Sequence, residues 1–139
     1  MPDAFQHRAY GIQIIHKDQP VAGVVYHDYT EHNCFISIAT TSPYWASRLT
    51  LQAIFGYPFN QMGVNRVSVM VRGDDPKRKD NRAARKWRKT IQNRFGFVFE
   101  GRLDDYFGEG YHAHLYRMKR SECKWIGHEQ GRRRQRAAV

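Results

Sequence analysis

Two apolar runs rich in β-branched and aromatic residues, Tyr10 to His16 and Val21 to Tyr26, flank the polar stretch Lys17, Asp18, Gln19, Pro20. Such runs around turn-forming residues predict an antiparallel hairpin. After "HDYTEHN", the run "CFISIAT" sets Phe35 and Ser37 against Ile36 and Ile38, a period of two that predicts a third strand. The period then changes. Between Trp45 and Met62, the residues Leu51, Ile54, Phe55 and Met62 recur at helical spacing, and Gly63 follows as a C-terminal stop. Pro58 lies inside this helix, where it removes a hydrogen bond and crowds the preceding turn, so a kink or break is expected near Tyr57.

"NRVSVMV" alternates Val67, Val69 and Val71 with Ser68 and Met70. A strand, a helix and a strand in succession predict a right-handed βαβ unit, which pairs residues 35–40 with 66–71 in parallel. The polar loop "RGDDPKRKD" leads to a second helix over residues 81–95, with Asp80 or Asn81 as its cap and Ala84, Trp87, Ile91 and Phe95 as its apolar stripe. Gly96 ends it, and "FVFEGRLDDYF" and "YHAHLYRMKR" form a second hairpin around "GEG". The order strand, strand, strand, helix, strand, helix, strand, strand predicts an α+β fold with one central parallel pair.

The chain has 139 residues, enough for one domain with a sizeable core, expected over residues 1–126. No apolar run approaches the ~20 residues that span a bilayer, so no membrane contact is expected. "MPDAFQHRAY" lacks a basic segment followed by an apolar one, and Cys34 and Cys123 have no ligand-like spacing. A cytoplasmic location is therefore expected. The net charge is +10, and it is regional: residues 72–102 hold eleven Lys or Arg against four acids, and residues 117–139 hold eight against two. Residues 127–139 lack apolar period and are expected to form a disordered basic tail.

"RFGFVFEGRL", a helix ending in Phe95, Gly96, Phe97 before a strand carrying Glu100 and Gly101, resembles the end of the Gcn5-related N-acetyltransferase (GNAT) domain, above all its ribosomal-protein-acetyltransferase branch. "SPYWASRLTLQAIFGYPFNQMGVNRVSVMV", "DNRAAR" and "YRMKRSECKWI" extend the resemblance over about residues 10–126, to the short members of the family encoded by bacteriophages. The resemblance implies a mixed, mostly antiparallel sheet whose central parallel strands splay apart, two main helices, and acetyl-CoA inserted in the gap, with its acetyl group meeting a primary amine carried by a small molecule or a protein. In a phage-encoded protein the compartment would be the host cytoplasm, with the virion as an alternative. The cofactor residues implied are Ile38, Ala39 and Thr40 at the pantetheine arm, Trp45, Ala46, Ser47 and Arg48 at the pyrophosphate, and Asn81 and Arg85 on the flanking helix.

The sequence departs from the family in two places. Only four residues separate the first two apolar runs, so the family's N-terminal helices are absent there and the acceptor groove is expected to be open. In the phosphate loop, Pro43 takes the Arg or Gln position, and Ala46 and Arg48 stand where glycines let the backbone approach the phosphates. Arg48 either grips phosphate in place of the lost backbone donors or blocks the cradle. The tyrosine that many relatives use as general acid has Arg88 or Gln92 in its place.

Glu31 and His32 in the turn before the third strand, and Ser37 on that strand through a water, are the candidate general bases; a solvated turn is the alternative for the first two. His112 and His114 share a face of the last strand without a third metal ligand in view, and no metal is expected. Arg72, Lys77, Arg78, Lys79, Arg82 and Arg85 cluster at the second helix, where they serve the 3′-phosphate of the cofactor or, with "RRRQR", contact nucleic acid. The second use belongs to a different class, a catalytically degenerate domain acting as a binding or structural phage protein.

Overall fold

The computed structural model describes residues 10–42 and 45–127. Pro43, Tyr44 and the basic tail from residue 128 lie outside the described residues. Strands β1 (Tyr10–His16) and β2 (Gln19–His27) form the expected hairpin, closed by two residues, Lys17 and Asp18, both with positive φ (51° and 63°). Two left-handed residues match the twist of the flanking strands, so Gln19 and Pro20 join β2 instead of the turn. Strand β3 (Asn33–Thr40) runs antiparallel to β2.

Helix α1 (Arg48–Gly56) starts three residues later than the apolar period suggested, at Ser47, whose hydroxyl accepts from the Thr50 N–H at 3.2 Å. The irregularity expected near Tyr57 is a change of pitch. At Tyr57–Met62 the helix widens into π turns, and Gly63 ends it at φ 78°. Pro58 has no N–H for the carbonyl of Ile54, four residues earlier, and the Tyr26 hydroxyl donates to that carbonyl at 2.5 Å.

Strand β4 (Arg66–Arg72) leads to helix α2 (Arg82–Lys89), which widens in the same way over Thr90–Phe95 before Gly96 at φ 96°. Strands β5 (Val98–Gly108) and β6 (Tyr111–Lys119) complete a six-stranded mixed sheet in the order β1-β2-β3-β4-β6-β5. The only parallel pair among the described residues, β3 with β4, sits in its middle, as the fold class requires.

The strand alternation sends Val24, Tyr26, Cys34, Ile36, Val67, Val69, Tyr116 and Met118 to one face. There they meet Leu51, Ile54, Phe55 and Phe59 of α1 and Ile91 and Phe95 of α2 in a single core. The opposite face carries polar and charged groups. Asn33, Ser68, Arg66, Glu100, Arg117 and Glu122 are joined there by hydrogen bonds and ion pairs, with a bulge at Glu100 turning that carboxylate toward Arg66.

Candidate functional site

Pairing between β3 and β4 stops early. Asn33, Cys34 and Phe35 lie opposite Arg66, Val67 and Ser68, and beyond that point both strands continue without pairing to each other. The sheet therefore forks, and the edge of β3 from Ile36 to Thr40 that faces β4 offers backbone groups that ladder pairing does not use. Ile38, Ala39 and Thr40 lie in this part of β3.

On the helix side of the fork lies a cavity of about 630 Å³. One wall is Thr40 to Ser42 with Trp45 and Ala46; the other is α2, through Ala83, Lys86, Trp87, Thr90 and Arg94. Trp45, Trp87 and Phe95 pack together with ring centres 5.6 to 6.2 Å apart, giving an apolar floor. Lys86, Thr90 and Arg94 follow each other at spacings of four, which in a helix places them in one row toward the cavity. The Arg94 guanidinium donates to the Ala46 carbonyl at 2.5 Å and ties α2 to the loop before α1. The first N–H groups of α1, capped at Ser47, have no acceptor within the helix and carry its positive dipole end.

Of the residues expected at the pyrophosphate, Trp45 and Ala46 line this cavity, Ser47 caps the helix, and Arg48 is an exposed first helical residue that is not part of the cavity wall. Asn81 and Arg85 do other work. The Asn81 side chain accepts from the Asp75 N–H at 2.8 Å and donates to the carbonyls of Asp75 and Arg78, bracing the loop, while the Asp80 carboxylate caps Arg82 N–H at 3.0 Å. Arg85 pairs with Asp74 at 2.7 Å, and Arg88, only 12% exposed, pairs with the same carboxylate and donates to the Arg72 carbonyl. Hydrogen bonds from these two arginines pull the Asp74 carboxyl down to about 2. Arg88 is thus a fastening between α2 and β4, without a free position for acid catalysis.

The three candidate bases separate in the same way. Glu31 is an exposed turn residue at φ 71°, and His32 is held by Asn65, whose amide lies 2.9 Å from Nδ1. The His32 carbonyl also accepts from the N–H groups of Asn65 and Arg66, so this turn fastens β3 to the start of β4. Ser37 is exposed, and its hydroxyl lies 2.8 Å from Nε2 of His27, whose Nδ1 lies 2.8 Å from the Asp28 carboxylate. His27 and Asp28 were not singled out from the sequence; nor were Lys86, Thr90 and Arg94 as cavity residues. His112 accepts from the Asp105 N–H, and His114 sits against Gly73. Among the described residues no three His, Cys, Asp or Glu side chains are grouped as metal ligands.

A forked mixed sheet with a cavity between the end of β3, the loop before α1 and α2 defines a particular class of α+β fold. Solved structures that share it are acetyltransferases, and the chain has the GNAT fold. Among them are the N-acetyltransferase PseH of Campylobacter jejuni in complex with acetyl coenzyme A (17% identity, TM-score 0.52, 81% of this chain and 68% of that one). Mutant forms of the spermidine/spermine N-acetyltransferase SpeG of Vibrio cholerae also match (14%, TM-score 0.59, 81% and 68%). So does the ribosomal-protein-S5-alanine acetyltransferase of Vibrio fischeri (18%, TM-score 0.54, 78% and 58%). The chain spans between 58% and 68% of the lengths of these three proteins. Neither a protein-family model nor a curated protein matches the sequence. No helix among the described residues is long and apolar enough to cross a membrane.

Proposed function

We propose that this protein is an N-acetyltransferase that passes the acetyl group of acetyl-CoA to a primary amine by direct attack within a ternary complex. The observation that supports this reading is the fork after Phe35 and Ser68, opening beside the cavity that Trp45, Lys86 and Arg94 line. The donor set fits the cofactor. An unpaired strand edge suits an amide-containing arm, the apolar floor suits its methylenes, and Lys86, Arg94 and the N-terminus of α1 suit phosphates. Bound acetyl-CoA would supply an activated acyl group as a thioester. A β3 backbone N–H at the fork would polarise the acyl carbonyl, and the two substrates would be held in attacking position by the fork itself.

The missing glycines at Ala46 and Arg48 shift the grip on phosphate from loop backbone to the α2 cations in this reading. The acceptor is a primary amine on a small molecule or a protein, and a cytoplasmic enzyme, of the host if phage-encoded, is the setting in which acetyl-CoA is at hand. The rival use of the basic surface for nucleic acid is weakened by Asp80 and Asp74, which pair with Arg82, Arg85 and Arg88. Calorimetry with acetyl-CoA at two salt concentrations tests the proposal: micromolar affinity that weakens in Lys86→Ala is expected, and absence of binding at millimolar ligand refutes it.

A further inference from the structure

A cofactor lying in the helix-side cavity leaves one approach for the amine. The helix-side cavity, floored by Trp45, Trp87 and Phe95, is taken up by the cofactor in this reading, so the acceptor reaches the acetyl group from the opposite face of the sheet. On that face the last paired positions are Phe35 and Ser68, and the next β3 side chain pointing the same way is Ser37. Ser37 is therefore the first side chain past the fork on the acceptor's side.

Behind it stands His27. In the β2–β3 register His27 lies opposite Phe35 and Val25 opposite Ser37, which makes His27 and Ser37 diagonal neighbours on one face. The imidazole stacks on the Phe35 ring, with centres 5.8 Å apart and planes 20° from parallel, so its plane is fixed. Asp28 has φ 52°, and this left-handed turn at the end of β2 brings its carboxylate back to 2.8 Å from Nδ1. An ionised carboxylate only accepts, so it selects the imidazole tautomer protonated on Nδ1 and leaves the Nε2 lone pair for the Ser37 hydroxyl, 2.8 Å away.

The other titratable groups near the fork are committed elsewhere. Glu100 is held by Arg66, which lowers its pKa, and Arg117 adds to this. Asp74 is tied to two arginines, and His114 lies on the helix face beside Arg88.

We propose that Asp28, His27 and Ser37 form the proton relay of the acceptor site: His27 is the general base and takes the amine proton through the Ser37 hydroxyl. This rests on the acetyl-transfer reading. The amine nitrogen forms its bond to the thioester carbonyl carbon as its proton passes to Ser37 Oγ and the Ser37 proton passes to His27 Nε2. The C–S bond breaks with its electron pair on the coenzyme sulfur, which takes a proton from water, and the imidazolium returns its proton to solvent. Asp28 is a positioning residue in this scheme. Ser37 ends each cycle as it began, without a covalent acetyl group.

Two measurements on the full chain test this. In 15N-labelled protein, long-range 1H–15N NMR should show His27 protonated on Nδ1 at neutral to mildly alkaline pH, with its Nε2 shift moved in Ser37→Ala and the tautomer mixture restored in Asp28→Asn. A His27 protonated on Nε2 overturns the relay whatever the activity. In parallel, thiol release from acetyl-CoA is followed with spermidine, a primary alkylamine and polylysine as acceptors. His27→Ala should lower kcat by about 100-fold, within the range of general base catalysis, with calorimetric affinity for acetyl-CoA unchanged and partial rescue by added imidazole. Turnover within threefold of wild type, or acetyl-Ser37 in quenched wild-type protein by mass spectrometry, overturns the relay and leaves acetyl transfer standing. Failure of the wild type to bind acetyl-CoA, or to release thiol with any of these amines, overturns the acetyl-transfer reading itself.

Discussion

Tyr26→Phe removes one oxygen atom from the centre of the molecule, and its cost follows from the position of Pro58. Within α1 the carbonyl of Ile54 would ordinarily accept from the N–H four residues on, and Pro58 has none. Tyr26 and Ile54 are both buried, and the hydroxyl donates to this carbonyl at 2.5 Å. Burial pushes the Tyr26 pKa well above its ordinary value, with Cys34 and Tyr57 adding to it, so the hydroxyl is a donor at neutral pH. Phenylalanine keeps the ring and its packing but leaves the carbonyl without this donor. Such a loss costs about 2 kcal/mol, or a fall of about 6 °C in Tm for a chain of this size. The assay is urea unfolding of wild type, Tyr26→Phe, Pro58→Ala and the double variant. Alanine at position 58 restores an N–H, so Tyr26→Phe should cost less than half as much in that background, a coupling of about 1 kcal/mol. Equal costs in the two backgrounds, or a loss below about 0.5 kcal/mol in the single variant, would refute the claim that the hydroxyl substitutes for the missing amide.

The remaining predictions concern charge, reactivity and the cavity. Asp74, held down to about 2 by Arg85 and Arg88, favours the folded state fully above its ordinary value of 3.8, and this contribution fades as pH falls toward 2. A 13C carboxyl titration should find it near 2, and Asp74→Asn should flatten the pH dependence of stability between pH 5 and 2 relative to wild type; an ordinary carboxyl titration would contradict the pairing. Burial pushes the Cys34 thiol up to about 12 and raises Cys123 as well, so neither should react with a disulfide reagent at pH 8 until urea unfolds the chain. Arg94→Ala should weaken acetyl-CoA binding at least tenfold, whereas Arg48→Gly, an exposed residue off the cavity wall, should change it less than threefold; the reverse order would return the phosphate grip to the α1 loop.

The parts of the molecule that were legible in the sequence are those set by local period. Alternation in "CFISIAT" and "NRVSVMV" and the stripe Trp87, Ile91, Phe95 are consequences of burial on one face, and a face is visible in a single strand or helix. The parallel pairing of β3 with β4 followed from connectivity, but its length did not. That it stops at Phe35 and Ser68 is a tertiary matter, which no local period encodes. Lys86, Thr90 and Arg94 were hidden for another reason. In a helix with basic residues on several sides, charge alone does not say which cations face a cavity, and the row emerges only once Ala46 and Trp45 form the opposite wall.

The contrast is sharpest at Ser37, because its partner His27 lies farther away in sequence than Glu31 and His32, the candidates weighed. Glu31 and His32 attract attention as adjacent ionisable residues, yet they lie in the turn, where His32 is spent on Asn65 and on Arg66, the first residue of β4. His27 reads from the sequence as the first residue of the polar stretch "HDYTEHN". It becomes Ser37's neighbour only through the register that sets His27 against Phe35, and a shift of one residue would send every side chain of β3 to the other face. That register is itself fixed by burial, since Tyr26 must face Ile36 in the core for His27 and Phe35 to face outward. The parity of the core residues on β2 and β3 thus determines which polar residues meet on the opposite face. The hydrophobic pattern that builds the fold also places the imidazole behind the hydroxyl at the fork.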